Sequence, residues 1–117
     1  MLSSNPYVAL MQGIPTKVGE GINATGTTQV RGFSTVKPSG NSTIGLQEIG
    51  AGTITTLDGD IQVSSDGGTT WRKFGSFDFK TITTATVSIA AIAGLIYRLS
   101  FSNVNTTTAG DIYATLS

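Results

Sequence analysis

The sequence predicts an all-β chain, folded as a two-sheet antiparallel sandwich or jelly roll of about eight strands, with an irregular N-terminal arm over 1–28 and the sandwich domain over 29–117. Three observations carry that expectation. Gly, Thr and Ser punctuate the chain at the intervals of about 8 to 12 residues that separate short strands. No window of about 11 residues shows the i, i+3, i+4, i+7 apolar spacing of an amphipathic helix. Short runs with an apolar residue at every second position recur instead, as half-buried strands require. A small closed barrel is the alternative architecture.

In chain order, the first segment carries an apolar scatter without strand period: Leu2, Tyr7, Val8, Leu10, Met11, Ile14 and Val18, broken by Pro6, Gly13, Pro15, Gly19 and Gly21. Such a segment is stable only where its side chains pack on a surface that already exists, either its own domain or a neighbouring subunit. Leu2, Tyr7, Val8, Leu10, Met11 and Ile14 are the expected assembly contacts. Strands are then expected over 29–36, 42–49 and 53–57. Asp58, Gly59 and Asp60 read as a turn with solvated carboxylates. Beyond them Ile61 and Val63 alternate with polar residues, and the pattern resumes at Thr70 after Asp66-Gly67-Gly68, a strong hairpin signal. Trp71 and Phe74 have opposite parity, so either a bulge separates them or one ring faces outward. A further strand is expected over 83–89. Leu95, Tyr97, Leu99 and Phe101 share one face of the clearest strand; Ile112, Ala114 and Leu116 share a face of the last. A polar turn over 103–110 would join those two as a hairpin.

Composition excludes several classes of function. Lys plus Arg equals Asp plus Glu at 7 each, so no net charge draws the chain to nucleic acid or to an acidic membrane surface. Charged residues make up 12% of the 117 positions, about half the usual share, and a surface of that kind favours association over free diffusion. The apolar-leaning stretch 87–97 is far shorter than the roughly 20 residues of a spanning helix, and no secretory leader is expected. With no cysteine there is neither disulfide nor thiolate metal site, and with no histidine the commonest general base and metal ligand are missing. No serine stands in a recognisable catalytic spacing with Lys17, Lys37, Lys73 or Lys80. Asp58, Asp60 and Asp66 fall close together, but the twelve-residue calcium loop with its closing Glu is absent. Gly19, Gly21 and Gly26 are too widely spaced for a phosphate loop. The expectation is a chain with no catalytic, metal or cofactor site.

One motif stands out. Ser64, Asp66, Gly68, Thr70 and Trp71 match the Asp-box pattern S-x-D-x-G-x-T-W at every defined position. The resemblance implies a structural turn: the Asp carboxylate accepts backbone hydrogen bonds, the Gly takes a positive φ, and the Trp ring packs over the hairpin. A single copy cannot build the four or more blades of the propellers in which sialidases carry it, so it implies a hairpin and not a sialidase. Of the remaining candidates for a sugar-stacking platform, Trp71 is expected in the turn core and Tyr97 in the sandwich core, leaving Tyr113 exposed.

The stretch 58–71, the strand over 93–99 and the terminal 111–117 together resemble small structural proteins of tailed bacteriophage particles. That resemblance implies a β-sandwich without enzymatic activity, added to the virion surface as a symmetric homo-oligomer, often a trimer. The expected function is accordingly a capsid decoration or cement protein, its arm reaching to a neighbour, with a major capsid or other virion protein as partner and no nucleic acid or membrane. The alternative is a receptor- or carbohydrate-binding module of a tail or head fibre, which calls for exposed aromatics around one loop end.

Overall fold

The computed structural model describes residues 7–35, 43–80, 87–92 and 94–117. They form β1 (Tyr7–Leu10), β2 (Thr16–Ile22), β3 (Gly32–Thr35), β4 (Thr43–Ile49), β5 (Ile54–Ser64), β6 (Arg72–Asp78), β7 (Val87–Ala90), β8 (Ile96–Thr106) and β9 (Gly110–Leu116), with no helix among the described residues. One sheet has the order β1-β3-β8-β5-β6 and the other β2-β9-β4-β7. All pairings are antiparallel except β1 with β3. The expected all-β, two-sheet sandwich is the fold.

Alternation explains which face each strand buries. In β8, Tyr97, Leu99 and Phe101 point into the core; in β9, Ile112, Ala114 and Leu116 do so from the opposite sheet; Ile44 and Leu46 of β4 complete that layer. Leu57 and Ile61 of β5, Phe77 of β6 and Phe79 just beyond it meet them from the five-stranded sheet. Phe77 packs edge-on against Phe101 with ring centroids 5.0 Å apart. Tyr97 stacks on Phe33 at 5.6 Å, and its hydroxyl spans the sandwich, donating to the Ala90 carbonyl at 3.0 Å and accepting from the Ile92 amide at 2.9 Å. Burial pushes the Tyr97 hydroxyl pKa up, partly offset by the bond from Ile92.

Three expectations are corrected. The segment read as an irregular arm supplies, across its described part, one strand to each sheet, with Leu10, Val18 and Ile22 fully buried in the common core. Register shifts between Lys17 and Gly19 and between Gly19 and Ile22 break the two-residue period of β2, which is why no strand pattern shows in the sequence. Asp58, Gly59 and Asp60 make no turn but lie inside the eleven-residue β5. Gly59 follows a bulge opposite β8, where a Cβ would overlap the Ser100 carbonyl oxygen and come within 2.8 Å of Phe101 Cα, so the position demands glycine for close backbone approach and not for a turn.

β8 and β9 are not a hairpin, because they belong to different sheets. The residues between them cross from one sheet to the other beside the β4–β5 connection, which also changes sheet. The two crossings hydrogen-bond to each other: Thr107 N to Thr53 O at 2.9 Å, Thr108 N to Ala51 O at 3.1 Å and Thr53 N to Thr107 Oγ1 at 2.8 Å. The described residues hold nine strands, in line with the expected number of about eight. Residues 36, 42 and 83–86 of the expected strands, and Leu2, lie outside the described residues.

Candidate functional site

The 64–71 turn joins β5 to β6 and is closed by side chains from its own sequence. Asp66 Oδ1 accepts the Ser64 hydroxyl at 2.7 Å and the backbone amides of Thr70 at 2.8 Å and Thr69 at 3.2 Å. Ser64 Oγ in turn accepts the Gly68 amide at 2.9 Å. Gly67 and Gly68 take φ of 76° and 96°, the left-handed region that a side chain disfavours. The Thr70 amide first, and then Ser64, hold the Asp66 carboxyl down at a pKa of about 2, since each of these bonds favours the charged form. Every donor to Asp66 Oδ1 lies within four residues of it, so this oxygen serves to shape the turn.

Trp71 leaves that turn half-buried and not in the core. Its indole Nε1 donates to the Gly68 carbonyl at 3.1 Å, and the Arg98 guanidinium lies over its ring 4.1 Å from the centroid. Arg98 is the cross-strand partner of Gln62, whose Oε1 accepts from Arg98 Nε at 2.7 Å. The Trp71 and Phe74 parity puzzle resolves as a bulge: Ile61 pairs with Gly75 and Gln62 with Lys73, leaving Phe74 as the extra residue, its ring edge-on to Tyr97 at 5.8 Å. Tyr97 is fully buried, as expected. Tyr113 is half-buried, with Lys17 Nζ 5.9 Å from its ring centroid.

Beside the turn, on the outer face of the five-stranded sheet, is a cleft of about 260 Å³. Gly67, Gly68 and Trp71 form one wall, Arg98 and Ile96 of β8 the floor with Gly32, and Tyr7 of β1 with Thr27 and Arg31 the far side. The β2–β3 connection that supplies Thr27 and Arg31 is held in shape by Gln29, whose Oε1 accepts the amides of Asn23 and Ala24 and whose Nε2 donates to the Gly21 carbonyl, all within 3.1 Å. Arg31 and Arg98 escape notice in the sequence, where each is one isolated cation. The available signal is that Arg98 stands on the polar face of a strand, one residue after the buried Tyr97 and three before the buried Phe101.

The expected assembly residues divide. Leu10 is fully buried in its own core and Val8 packs against it, so neither is presented to a partner. Tyr7, Met11 and Ile14 are exposed at 44%, 62% and 51%. Of the three aspartates, Asp58 accepts the Asn103 side-chain amide at 2.9 Å and Asp60 lies 3.5 Å from Lys73 Nζ. Both belong to β5 and stand apart from Asp66 in the turn beyond its end. No family model, curated protein or solved structure matches the chain.

Proposed function

We propose that this protein is a non-enzymatic structural module of a phage particle, a capsid decoration or cement protein that acts through contacts with copies of itself and with a neighbouring virion protein. The observation that carries the reading is the position of its exposed apolar side chains. Six large hydrophobics are exposed among the described residues, and Tyr7, Met11 and Ile14 gather three of them into one short segment. Scattered exposed apolar residues are ordinary, whereas a concentration on one loop marks a contact surface. The segment's backbone is already ordered by its own sheets: Gly13 N donates to Leu116 O at 2.7 Å. Contact at Met11 and Ile14 therefore carries little ordering cost.

The test is native mass spectrometry and particle-incorporation assays on the intact chain and on a Met11→Ser, Ile14→Ser double variant. The variant is expected to keep its melting temperature and to lose assembly. A wild-type chain that stays monomeric and joins no particle, or a variant that assembles normally, refutes the proposal.

A second reading, a receptor- or carbohydrate-binding module, is favoured by one specific observation, the concave site formed by Trp71, Arg98 and Tyr7. The two readings share Tyr7 and otherwise use different residues. β1 runs from Tyr7 at the cleft toward the Met11 to Ile14 loop, four residues or roughly 13 Å away at strand rise.

A further inference from the structure

We infer that the outer-face cleft is a binding site for one carboxylated sugar ring of an acidic glycan, with Arg98 receiving the carboxylate; the inference rests on the ligand-binding reading of that cleft. Arg98 is half-buried, and among the described residues no carboxylate lies within ion-pair distance of it. Its Nε is used by Gln62 and one face of its guanidinium is covered by Trp71, while its two Nη groups make no hydrogen bond to a described residue. A guanidinium held from two sides with its outer edge unused is pre-oriented for the two parallel N–H···O bonds that a carboxylate accepts. A partly desolvated cation with no anion is also an unfavourable arrangement to leave in a fold without use.

The remainder of the cleft selects what the carboxylate is attached to. At about 260 Å³ it is far larger than a bare anion needs and falls just below the roughly 300 to 1,000 Å³ of sites for drug-sized ligands, which suits a single ring. Trp71, Tyr7, Ile96 and Val30 supply apolar contact, while the Thr27 hydroxyl and the side-chain-free backbone at Gly67 and Gly68 supply polar contact. A sugar ring has the same two-sided character, an apolar C–H face and a hydroxyl edge. Cations and aromatics line the site and carboxylates do not, so a neutral sugar would leave Arg98 unmatched.

Trp71 is the only tryptophan in the chain and sits in the cleft wall, so its fluorescence reports occupancy directly. The full-length protein is titrated with D-glucuronate, D-glucose, acetate and cyclohexanecarboxylate at constant ionic strength. A saturable change with glucuronate is expected at a half-point of about 1 mM, with at least about tenfold weaker response to the other three. Arg98→Gln should weaken glucuronate binding about tenfold or more, and Tyr7→Ala, at an exposed position that the fold tolerates, should weaken it independently. Glucose binding as tightly as glucuronate would overturn the acid assignment while leaving a sugar site. Acetate or cyclohexanecarboxylate binding equally well would overturn the sugar assignment. No saturable response to any of the four would overturn both the inference and the ligand-binding reading beneath it.

Discussion

Replacing Tyr97 with Phe removes one oxygen atom from the centre of the sandwich and leaves the ring that fills it. The stack on Phe33 and the edge contact with Phe74 survive. What is lost is the hydroxyl that ties β8 to the end of β7 in the opposite sheet, one bond accepted from Ile92 N and one donated to Ala90 O. A buried group stripped of its partner costs about 1 to 3 kcal/mol, but Ala90 and Ile92 are exposed residues, and water can reach their backbone once the hydroxyl is gone. The low end of that range therefore applies, about 1 to 2 kcal/mol for the pair of bonds. With an unfolding entropy of about 2.1 cal/mol/K per residue, the chain's total is roughly 0.25 kcal/mol/K, and Tyr97→Phe should lower Tm by about 4 to 8 °C. Thermal unfolding followed by circular dichroism measures the shift, and hydrogen exchange at the Ile92 amide localises it. A Tm unchanged within about 1 °C, together with unchanged exchange at Ile92, would show that the hydroxyl does not hold the two sheets together at this point.

Asp66→Asn should lower Tm at neutral pH and flatten its acid dependence: the folded carboxyl titrates at about 2 against an ordinary 3.8, so its contribution is fully present above the ordinary value and is lost as pH falls from there toward 2. Melting curves of both proteins across that window test this, and calcium chelation should leave the wild-type Tm unmoved, because the carboxylate serves the turn and not a cation. Phe101→Ala removes a ring that is 3% exposed and packed on Phe77, and should cost about 3 to 5 kcal/mol by urea unfolding; a loss below about 1 kcal/mol would mean that the ring is not a core element. Glu48 is buried beside Ala51, whose amide its Oε2 accepts at 2.9 Å, and burial first, then Asp111, pushes its pKa up. A raised carboxyl favours the folded state while protonated and loses that contribution as pH rises through the folded value, so Glu48→Gln should match or exceed wild-type stability at neutral pH and remove that part of the pH dependence. A Gln variant markedly less stable than wild type at pH 7 would show that the charge itself is needed.

The parts of the fold legible in the sequence are those whose strands keep a strict two-residue period. In β4, β8 and β9 the alternation of Ile44, Leu46, then Tyr97, Leu99, Phe101, then Ile112, Ala114, Leu116 marks both strand and buried face. Legibility fails where glycine changes the backbone for reasons that only a neighbouring strand supplies. Gly59 reads as a turn because Asp-Gly-Asp is a turn composition, yet its meaning is the approach of Ser100, a residue far away in sequence. In β2 the same-face position between the buried Val18 and Ile22 is Glu20, and with the register shifts around Gly19 the apolar alternation that marks a strand is interrupted there. Which sheet receives β9 is equally invisible, since the inward face of a strand is the same from either side of a sandwich. It is a matter of long-range pairing, β9 lying between β2 and β4, and of crossing connections that hydrogen-bond to each other at Thr53 and Thr107.

The two functional elements differ in the same way. The Asp66 turn is local: its donors and acceptors lie between Ser64 and Trp71, so an eight-residue pattern contains its whole physics. The cleft draws on β1, the β2–β3 connection, β8 and that turn, and no short window contains more than one wall. Yet the local element sets the geometry of the other. Asp66 fixes Thr70 and, through Ser64, Gly68; Gly68 fixes the Trp71 indole; Trp71 and Gln62 together fix the Arg98 guanidinium. Four successive contacts, none longer than 4.1 Å, thus connect a carboxylate engaged by its own turn to a cation whose outer edge no described residue uses. The acidic residue makes a rigid wall and stays out of the cleft, which keeps the cleft positive. An aspartate turned toward Arg98 would have neutralised it and left nothing there for an anion to recognise.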